Sequence, residues 1–273
     1  MYKTILLYLP SVQSAEVVAN EAAQLAREHG AMLIGAHSIV KITVYGGIPE
    51  DFLAQHNERE RREAEAVKFI FEEAARRHEV PHQWRARPAK DTEVFREIVA
   101  QCRSVDLVVA PGKDFSDPLG HWYDLPERLA MDTGRPLLLL PRDRTVTNIG
   151  KRIMVAWNGS RESTRAAFDA LPLLQAADLV YVLTLADRLD GPLAGGAEDF
   201  TSALKRQGVN AELAFVGATA QPDGEELLTH AADRQCDMLV MGFYGRSRLS
   251  EMFWGGVTRH MLKAMTIPVF TSH

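Results

Sequence analysis

The chain repeats itself once along its length, and this repeat limits the folds open to it. Residues 2–26 read YKTILLYLPSVQSAEVVANEAAQLA, and residues 150–174 read GKRIMVAWNGSRESTRAAFDALPLL. Each stretch places a basic residue before a short apolar run, which a small polar turn and an alanine-rich segment follow. A repeat of half the chain length indicates two duplicated domains, since solenoid repeats recur every ~20–50 residues.

The ends of the two halves correspond as well. VDLVVAPG in the first half matches CDMLVMGF in the second, and TGRPLLLLP matches MTIPVFTSH. The polar segment RDRTVTNIG separates the halves. We therefore predict one domain over residues 1–144 and a second over residues 151–273.

Apolar runs alternate with helical patterns inside each half. In the second half the apolar runs fall near 152–157, 178–185, 209–216, 237–241 and 267–271, and the helical patterns near 160–175, 197–207, 223–235 and 255–265. Ser160 is a good N-cap for the first of these helices, which Pro172 is expected to kink or end. Apolar strands joined by helices pair in parallel, with both faces covered. The predicted fold class is α/β, with two tandem doubly wound domains, each of about five parallel strands flanked by helices.

The first half contains an additional segment of about 40 residues after its second apolar run. Its latter part predicts a strong amphipathic helix, with one apolar face made of Val67, Ile70, Phe71, Ala74 and Ala75. The charge run ERERREAE within it is interpreted as the solvated face of this helix. A surface for docking a partner is the alternative.

Composition and charge narrow the classes of partner. The formal net charge is −5, so broad electrostatic attraction to nucleic acid or to an anionic membrane is not expected. Cys102 and Cys236 each precede a strand-like run, which favours buried, reduced thiols. The sequence shows neither a secretion leader nor an apolar run near the ~20 residues of a membrane span. A cytoplasmic protein is predicted.

A glycine-rich stretch follows the fourth apolar run of the second half. Residues 242–258 read GFYGRSRLSEMFWGGVT and lead directly into a predicted helix. Glycine lets the backbone approach a ligand closely, and the free N–H groups at a helix start favour phosphate. Thr258 adds a hydroxyl donor, and Arg246 and Arg248 add charge for phosphate oxygens. The stretch is neither a Walker loop nor a Rossmann fingerprint, and simple turns remain the other interpretation.

This spacing resembles a known signature. Gly242-x-x-Gly245, nine residues and then Gly255 is similar to the G-x2-G-x9-G-(S/T) motif of ATP-binding members of the universal stress protein (UspA) family. IMVAWNGSRES is similar to the opening of that family, which typically reads strand, Asp-Gly-Ser, helix. The resemblance covers the second half closely and the first half through its opening and its two last strands. The whole chain looks like a tandem two-domain member.

The resemblance implies an adenine-nucleotide site in the second half. Asn158 stands where ATP-binding members usually have an acidic residue near the nucleoside, and Leu185 where an apolar residue contacts adenine. The two glycines Gly242 and Gly245 would line the ribose and phosphates, with Arg246 beside them. The phosphate-binding start of the last helix would be formed by Gly255, Gly256, Val257 and Thr258.

Two departures from the motif weaken the implied site. Gly256 stands in place of the final Ser/Thr, and one lost hydroxyl donor costs about 1 kcal/mol, or about fivefold in affinity. Asn158 replaces a carboxylate and supplies no charge to a magnesium ion, so Mg²⁺ is expected only with the nucleotide. In the first half, Asp124 at the corresponding helix start would repel phosphate and cap that helix itself. The first domain is therefore predicted not to bind ATP.

Three functional hypotheses follow. The first is a tandem universal stress protein whose second domain binds ATP or another adenine nucleotide as a regulatory signal in the stress response. The second is a nucleotide-independent scaffold that acts through contacts with an unidentified protein partner. The third, an ATP-hydrolysing enzyme, has the least support, and slow hydrolysis is the most that is expected, because no catalytic constellation or metal site stands out. The last strands of the two halves are expected to meet as in an intramolecular pseudo-dimer, and a homodimer is compatible with this arrangement.

Overall fold

The computed structural model describes residues 1–42, 49–116, 122, 124–142, 149–186, 192–217, 223–243 and 255–273. The chain divides into two compact units. The first consists mainly of Tyr2–Arg135, and the second mainly of Pro136–Pro141 with Val146–His273. In the described part, no helix combines the length and the apolar character needed to cross a bilayer.

The described residues of the first unit form four parallel strands. They pair in the order β3-β2-β1-β4, which is the order of a doubly wound half-domain. The elements are β1 (Thr4–Tyr8), α1 (Ala15–His29), β2 (Met32–Lys41), α2 (Glu50–Arg77), β3 (His82–Lys90), α3 (Val94–Cys102), β4 (Leu107–Pro111) and α4 (Leu125–Asp132).

Helix α2 is the amphipathic helix that the sequence predicts. Val67 and Phe71 are fully buried, and Phe71 lies so close to Gly35 of β2 that a Cβ there would be 2.7 Å from its ring. Most of the charge run is solvated, as expected, and its Arg62 and Arg61 hydrogen bonds lower the pKa of Glu58. Glu60 and Glu63 are exceptions. The Glu60 carboxylate accepts a hydrogen bond from the backbone N–H of Val40 at 3.0 Å and so ties α2 to the end of β2, and Glu63 accepts from the backbone N–H of Val12 at 3.4 Å.

The described part of the second unit forms six strands. They pair in the order β5-β10-β9-β6-β7-β8, all parallel except β5, which is antiparallel to β10. The elements are β5 (Leu137–Leu140), β6 (Arg152–Ala156), α5 (Arg161–Asp169), α6 (Leu171–Leu174), β7 (Leu179–Ala186), α7 (Pro192–Arg206), β8 (Ala211–Gly217), α8 (Asp223–Asp233), β9 (Met238–Gly242), α9 (Gly255–Ala264) and β10 (Val269–Ser272). The last strands of the two sequence halves, β5 and β10, thus meet as predicted.

Local signals set the boundaries of the helices in the second unit. Ser160 caps α5, since its hydroxyl accepts from the backbone N–H of Ser163 at 3.1 Å. α5 ends at Asp169, and a new short helix starts with Pro172 in its first turn, as the sequence predicts. The predicted start of α7 near residue 197 is wrong. The helix begins at Pro192, because proline suits a first turn. Gly196 within the helix makes room for the Trp157 ring, from which a Cβ there would lie 3.1 Å.

A pair of equivalent aspartates shows that the repeat is structural. Asp106 accepts hydrogen bonds from the backbone N–H groups of Lys3 and Thr4 at 2.7 and 2.9 Å. Asp237 accepts from the backbone of Gly150 and its two successors, at 3.0 to 3.2 Å. Each aspartate fixes the start of the first strand of its half. Burial raises the pKa of Asp237, and these backbone hydrogen bonds oppose the rise.

Candidate functional site

A cavity of about 100 Å³ lies in the second unit, near the carboxyl ends of β6, β7 and β9. The chain runs from β6 outward through β7 to β8 and then returns to place β9 on the other side of β6. The strand order therefore reverses between β6 and β9, and ligands of open α/β sheets bind at such a switch point. The lining residues are Ala156, Trp157, Asn158, Ser160, Glu162, Ser163, Leu183, Leu185, Asp223, Leu227, Met241, Gly242, Val257 and Thr258.

One wall of the cavity is apolar. Leu183, Leu227 and Met241 belong to a buried cluster, against which Leu185 and Val257 pack. Such a wall suits a flat, weakly polar group such as a nucleobase, because apolar surface is removed from water when the group binds.

Trp157 forms a rigid part of the same lining. Its ring stacks on Phe200 with ring centroids 5.0 Å apart and an angle of 13° between the planes. Its indole N–H donates to the hydroxyl of Thr164 at 3.1 Å. The tryptophan is therefore held in place independently of any ligand.

The polar side of the cavity is built from the turn between β6 and α5. Asn158 Oδ1 accepts from the backbone N–H of Ser160 at 3.1 Å, and Gly159 between them has a φ of +75°. The Ser160 hydroxyl accepts from the Ser163 N–H, and the Ser163 hydroxyl donates to the Ser160 carbonyl at 3.1 Å. These polar atoms stabilise the turn and the cap of α5, so they are already engaged.

The charged side chains of the described lining are both acidic. Glu162 lies in the first turn of α5 and is 6% exposed, and its Oε1 accepts from the Arg161 guanidinium at 2.9 to 3.0 Å. Asp223 begins α8 and is exposed. Sequence reasoning missed both residues, together with Trp157. Two sequence signals could have identified Glu162 and Asp223. Glu162 is an acid just after a Gly-Ser turn, and Asp223 is an acid at a predicted helix start.

The start of α9 closes another side of the cavity. Val257 and Thr258 line it, and Thr258 is 3% exposed. The first turn of α9 contains no acidic residue, whereas α5 and α8 carry acids in theirs. The positive end of the α9 dipole is therefore not offset within its own first turn, and it favours an anion.

The structure brings most of the predicted site residues together. Asn158, Leu185, Gly242, Val257 and Thr258 all line the one cavity. Gly255 and Gly256 begin helix α9. Gly245 and Arg246 lie outside the described residues. That these residues bind a ligand stays a prediction.

Gly242 has a reason for being glycine that is independent of any ligand. A Cβ at this position would lie 2.6 Å from the backbone nitrogen of Ser163 and 2.7 to 2.8 Å from atoms of Glu162. The first turn of α5 therefore packs directly on the end of β9. This contact accounts for Gly242 through packing, beside the ligand contact that the family motif implies.

The first unit has bulky side chains at the corresponding place. Tyr8 ends β1 as Ala156 ends β6, and the two have equivalent strand partners, Ala36 and Leu183. Tyr8 is fully buried, and its ring lies edge-on to Trp122 with ring centroids 5.7 Å apart. Phe95 contacts Trp122 from α3, with centroids 6.2 Å apart. Burial raises the pKa of Tyr8, so its hydroxyl stays neutral.

The buried ammonium of Lys113 is paired within the first unit. The Lys113 ammonium, whose side chain is 8% exposed, pairs with Glu127 of α4 and lies 3.7 Å from Asp124 Oδ1. The prediction that Asp124 caps α4 with its side chain is wrong. It occupies the N-cap position, but in the described structure its carboxylate makes no cap hydrogen bond, and its ion-pair partner is Lys113.

The described residues contain no group of three or more His, Cys, Asp and Glu side chains that could hold a metal ion. Both cysteines are free thiols and buried. Burial raises the pKa of Cys102 to about 12 and that of Cys236 to about 11.

Comparison with known proteins shows which family the second half of the chain resembles. Residues 150–273 match the model of the universal stress protein family. Universal stress protein Slr1230 of Synechocystis sp. is 26% identical over 158 residues, which cover 56% of this chain and 52% of the relative. The chain thus spans about half the length of the curated relative it matches.

Solved structures share the fold over nearly the whole chain. A universal stress protein from Archaeoglobus fulgidus superposes with a TM-score of 0.73 at 14% identity, covering 98% of this chain and 95% of that one. A putative universal stress protein from Pseudomonas aeruginosa gives a TM-score of 0.58 at 12% identity, covering 99% and 93%. The second half of the chain is thus similar to the universal stress protein family over residues 150–273, and the two halves together share the fold of a universal stress protein of similar length.

Proposed function

We propose that the second half of the chain binds an adenine nucleotide, ATP among them, and that occupancy of the site is a regulatory signal in the stress response. The observation that carries the proposal is the convergence on one cavity of an apolar wall and the start of α9. The apolar wall suits a nucleobase, and the start of α9 suits phosphate.

Different parts of the cavity lining suit the base and the phosphates of the nucleotide. The base would lie against Leu185 and Leu227, and the phosphates would approach the α9 N–H groups and the Thr258 hydroxyl. Mg²⁺ would enter only with the nucleotide, because Asn158 supplies no charge and its Oδ1 already accepts from Ser160. These residues offer little for activating a water molecule, so turnover is expected to be slow at most.

The first half has a different role in this proposal. Tyr8 and Trp122 occupy the region that corresponds to the cavity, and Lys113 is paired with Glu127. These contacts support a first domain that does not bind ATP and that serves as a partner-binding or regulatory domain. We further propose that the protein acts in the cytoplasm, which its two reduced, buried thiols favour.

A nucleotide-independent scaffold is the second candidate function. It is favoured by Gly256, which lacks the hydroxyl of the family motif, and by the acidic lining of Glu162 and Asp223. In that case the cavity would be a remnant of a site, and the function would lie in contacts with a protein partner.

Calorimetric titration of ATP, with and without Mg²⁺, separates the two candidates. The sharpest variant is Ala156→Tyr, which gives the second half the aromatic residue that Tyr8 places at the equivalent position of the first. We expect saturable binding of one nucleotide per chain to the parent and none to Ala156→Tyr. Gly245→Asp tests the glycine motif and is also expected to abolish binding.

The control is the fold of each variant, checked by its melting temperature and circular dichroism. Unchanged ATP affinity in a folded Ala156→Tyr would show that the cavity is not the site. Absence of binding to the parent protein would favour the scaffold.

A further inference from the structure

An acid lies four residues after the position where the family motif has an acid and this chain does not. Asn158 stands where the family motif has a carboxylate, and Glu162 follows four residues later in the first turn of α5. Both residues line the cavity. Glu162 is the more buried of the two, since Asn158 is exposed.

The neighbouring acceptors are engaged in the turn itself. Asn158 Oδ1 accepts from the Ser160 N–H, and the hydroxyls of Ser160 and Ser163 bond to each other and to the local backbone. Removing any of them for a ligand would break a bond of the α5 cap. Asp223 is an exposed carboxylate, so water competes for it.

Glu162 is held where a ligand can use it. Its Cβ and carbonyl carbon pack against Gly242, which fixes the base of the side chain on the end of β9. Arg161 donates to Oε1 and orients the carboxylate. Among the described residues, no hydrogen bond is made to the second oxygen, Oε2. A buried, charged acceptor of this kind binds neutral hydroxyl donors well and repels phosphate.

We propose that Glu162 accepts the ribose hydroxyls of the bound nucleotide and makes the site selective for ribose over deoxygenated sugars. The inference rests on the proposed function, because it concerns how the same cavity recognises the ribose of its nucleotide. In this arrangement the ribose contacts the first turn of α5, and the phosphates contact the first turn of α9.

The test compares ATP with 2′,3′-dideoxy-ATP by calorimetric titration. The parent protein should bind ATP about tenfold more tightly than the dideoxy analogue, as expected for hydrogen bonds to a charged acceptor. Glu162→Gln should weaken ATP binding about tenfold and change dideoxy-ATP binding by less than twofold. The matched control is Glu225→Gln, an exposed acid in the first turn of α8 outside the cavity lining, which should change neither affinity.

The outcomes are distinct for the two proposals. If the parent binds neither nucleotide, the proposed function fails, and this inference fails with it. If the parent binds ATP but a folded Glu162→Gln changes the affinities for ATP and dideoxy-ATP equally, in either direction, the role of Glu162 is refuted while the site stands. The proposal is supported if Glu162→Gln loses the preference for ATP over dideoxy-ATP while the parent and Glu225→Gln keep it.

Discussion

Replacing Gly242 by alanine adds one methyl group at the tightest described glycine of the second unit. The new Cβ would lie 2.6 Å from the Ser163 nitrogen and 2.7 to 2.8 Å from Glu162 atoms. These neighbours are mostly backbone of α5, so no flexible side chain can turn away to relieve the contact.

The structure gives the size of the effect. Overpacking costs about 1–3 kcal/mol, and a clash with helix backbone is expected near the upper end, at about 2–3 kcal/mol. For a domain of this size we expect a fall in melting temperature of roughly 5–10 °C. The shift of α5 also displaces Glu162 and the turn at Ser160, so ATP affinity should fall with stability.

Differential scanning calorimetry or urea denaturation measures the change. Gly195→Ala is the matched control, because a Cβ there meets nothing within 4 Å and the residue lies inside α7. Alanine in a helix should be neutral or stabilise by up to about 1 kcal/mol. If Gly242→Ala melts with the parent protein, or if Gly195→Ala is destabilised as much, the packing account of Gly242 is refuted.

Three further predictions concern the framework of the fold. Tyr8→Ala should destabilise the first unit by about 3–5 kcal/mol in urea denaturation, because the ring is fully buried; a cost below about 1 kcal/mol would contradict its packing role. Ser160→Ala should cost about 0.5–2 kcal/mol by removing the cap on the Ser163 N–H, and thermal melts that coincide with the parent would count against the cap. At pH 8, iodoacetamide should modify Cys102 and Cys236 only after denaturation, since burial raises their pKa values to about 12 and about 11; mass spectrometry that found rapid modification of the folded protein would disprove their burial.

The raised pKa values of the two thiols predict that the stability of the fold decreases as the pH rises above 9. Both thiols keep their protons in the folded state above their ordinary value of 9.0, where the unfolded chain loses them. Their contribution to stability is therefore fully present below pH 9 and is lost as the pH rises towards 11 and 12.

The parts of the fold that depend on local or repeated signals could be predicted from the sequence. The α/β class, the pairing of the last strands, the Ser160 cap and the break at Pro172 follow from apolar runs, turn residues and the duplication. The predicted start of α7 near residue 197 is too late, since the helix begins at Pro192. Gly196 lies within this helix and packs against Trp157, a contact between residues far apart in sequence.

The candidate site could be predicted only in part, because some of its features depend on contacts between residues far apart in sequence. The family resemblance points to Leu185, Val257 and Thr258, which the fold brings to one cavity. Glu162 carries no motif, and its burial depends on how closely α5 approaches β9. Asp124 obeys the rule for a cap by its position, but an ion pair with Lys113, made possible only by the tertiary fold, takes its carboxylate instead.

Native mass spectrometry of the gently purified protein tests the central claim most directly. We predict a mass increase that matches one adenine nucleotide per chain, either retained from the cell or restored by added ATP, and absent from Ala156→Tyr. A parent protein that stays free of nucleotide after incubation with millimolar ATP, or an Ala156→Tyr variant that carries the nucleotide as the parent does, would contradict the assignment of this cavity as an adenine-nucleotide site.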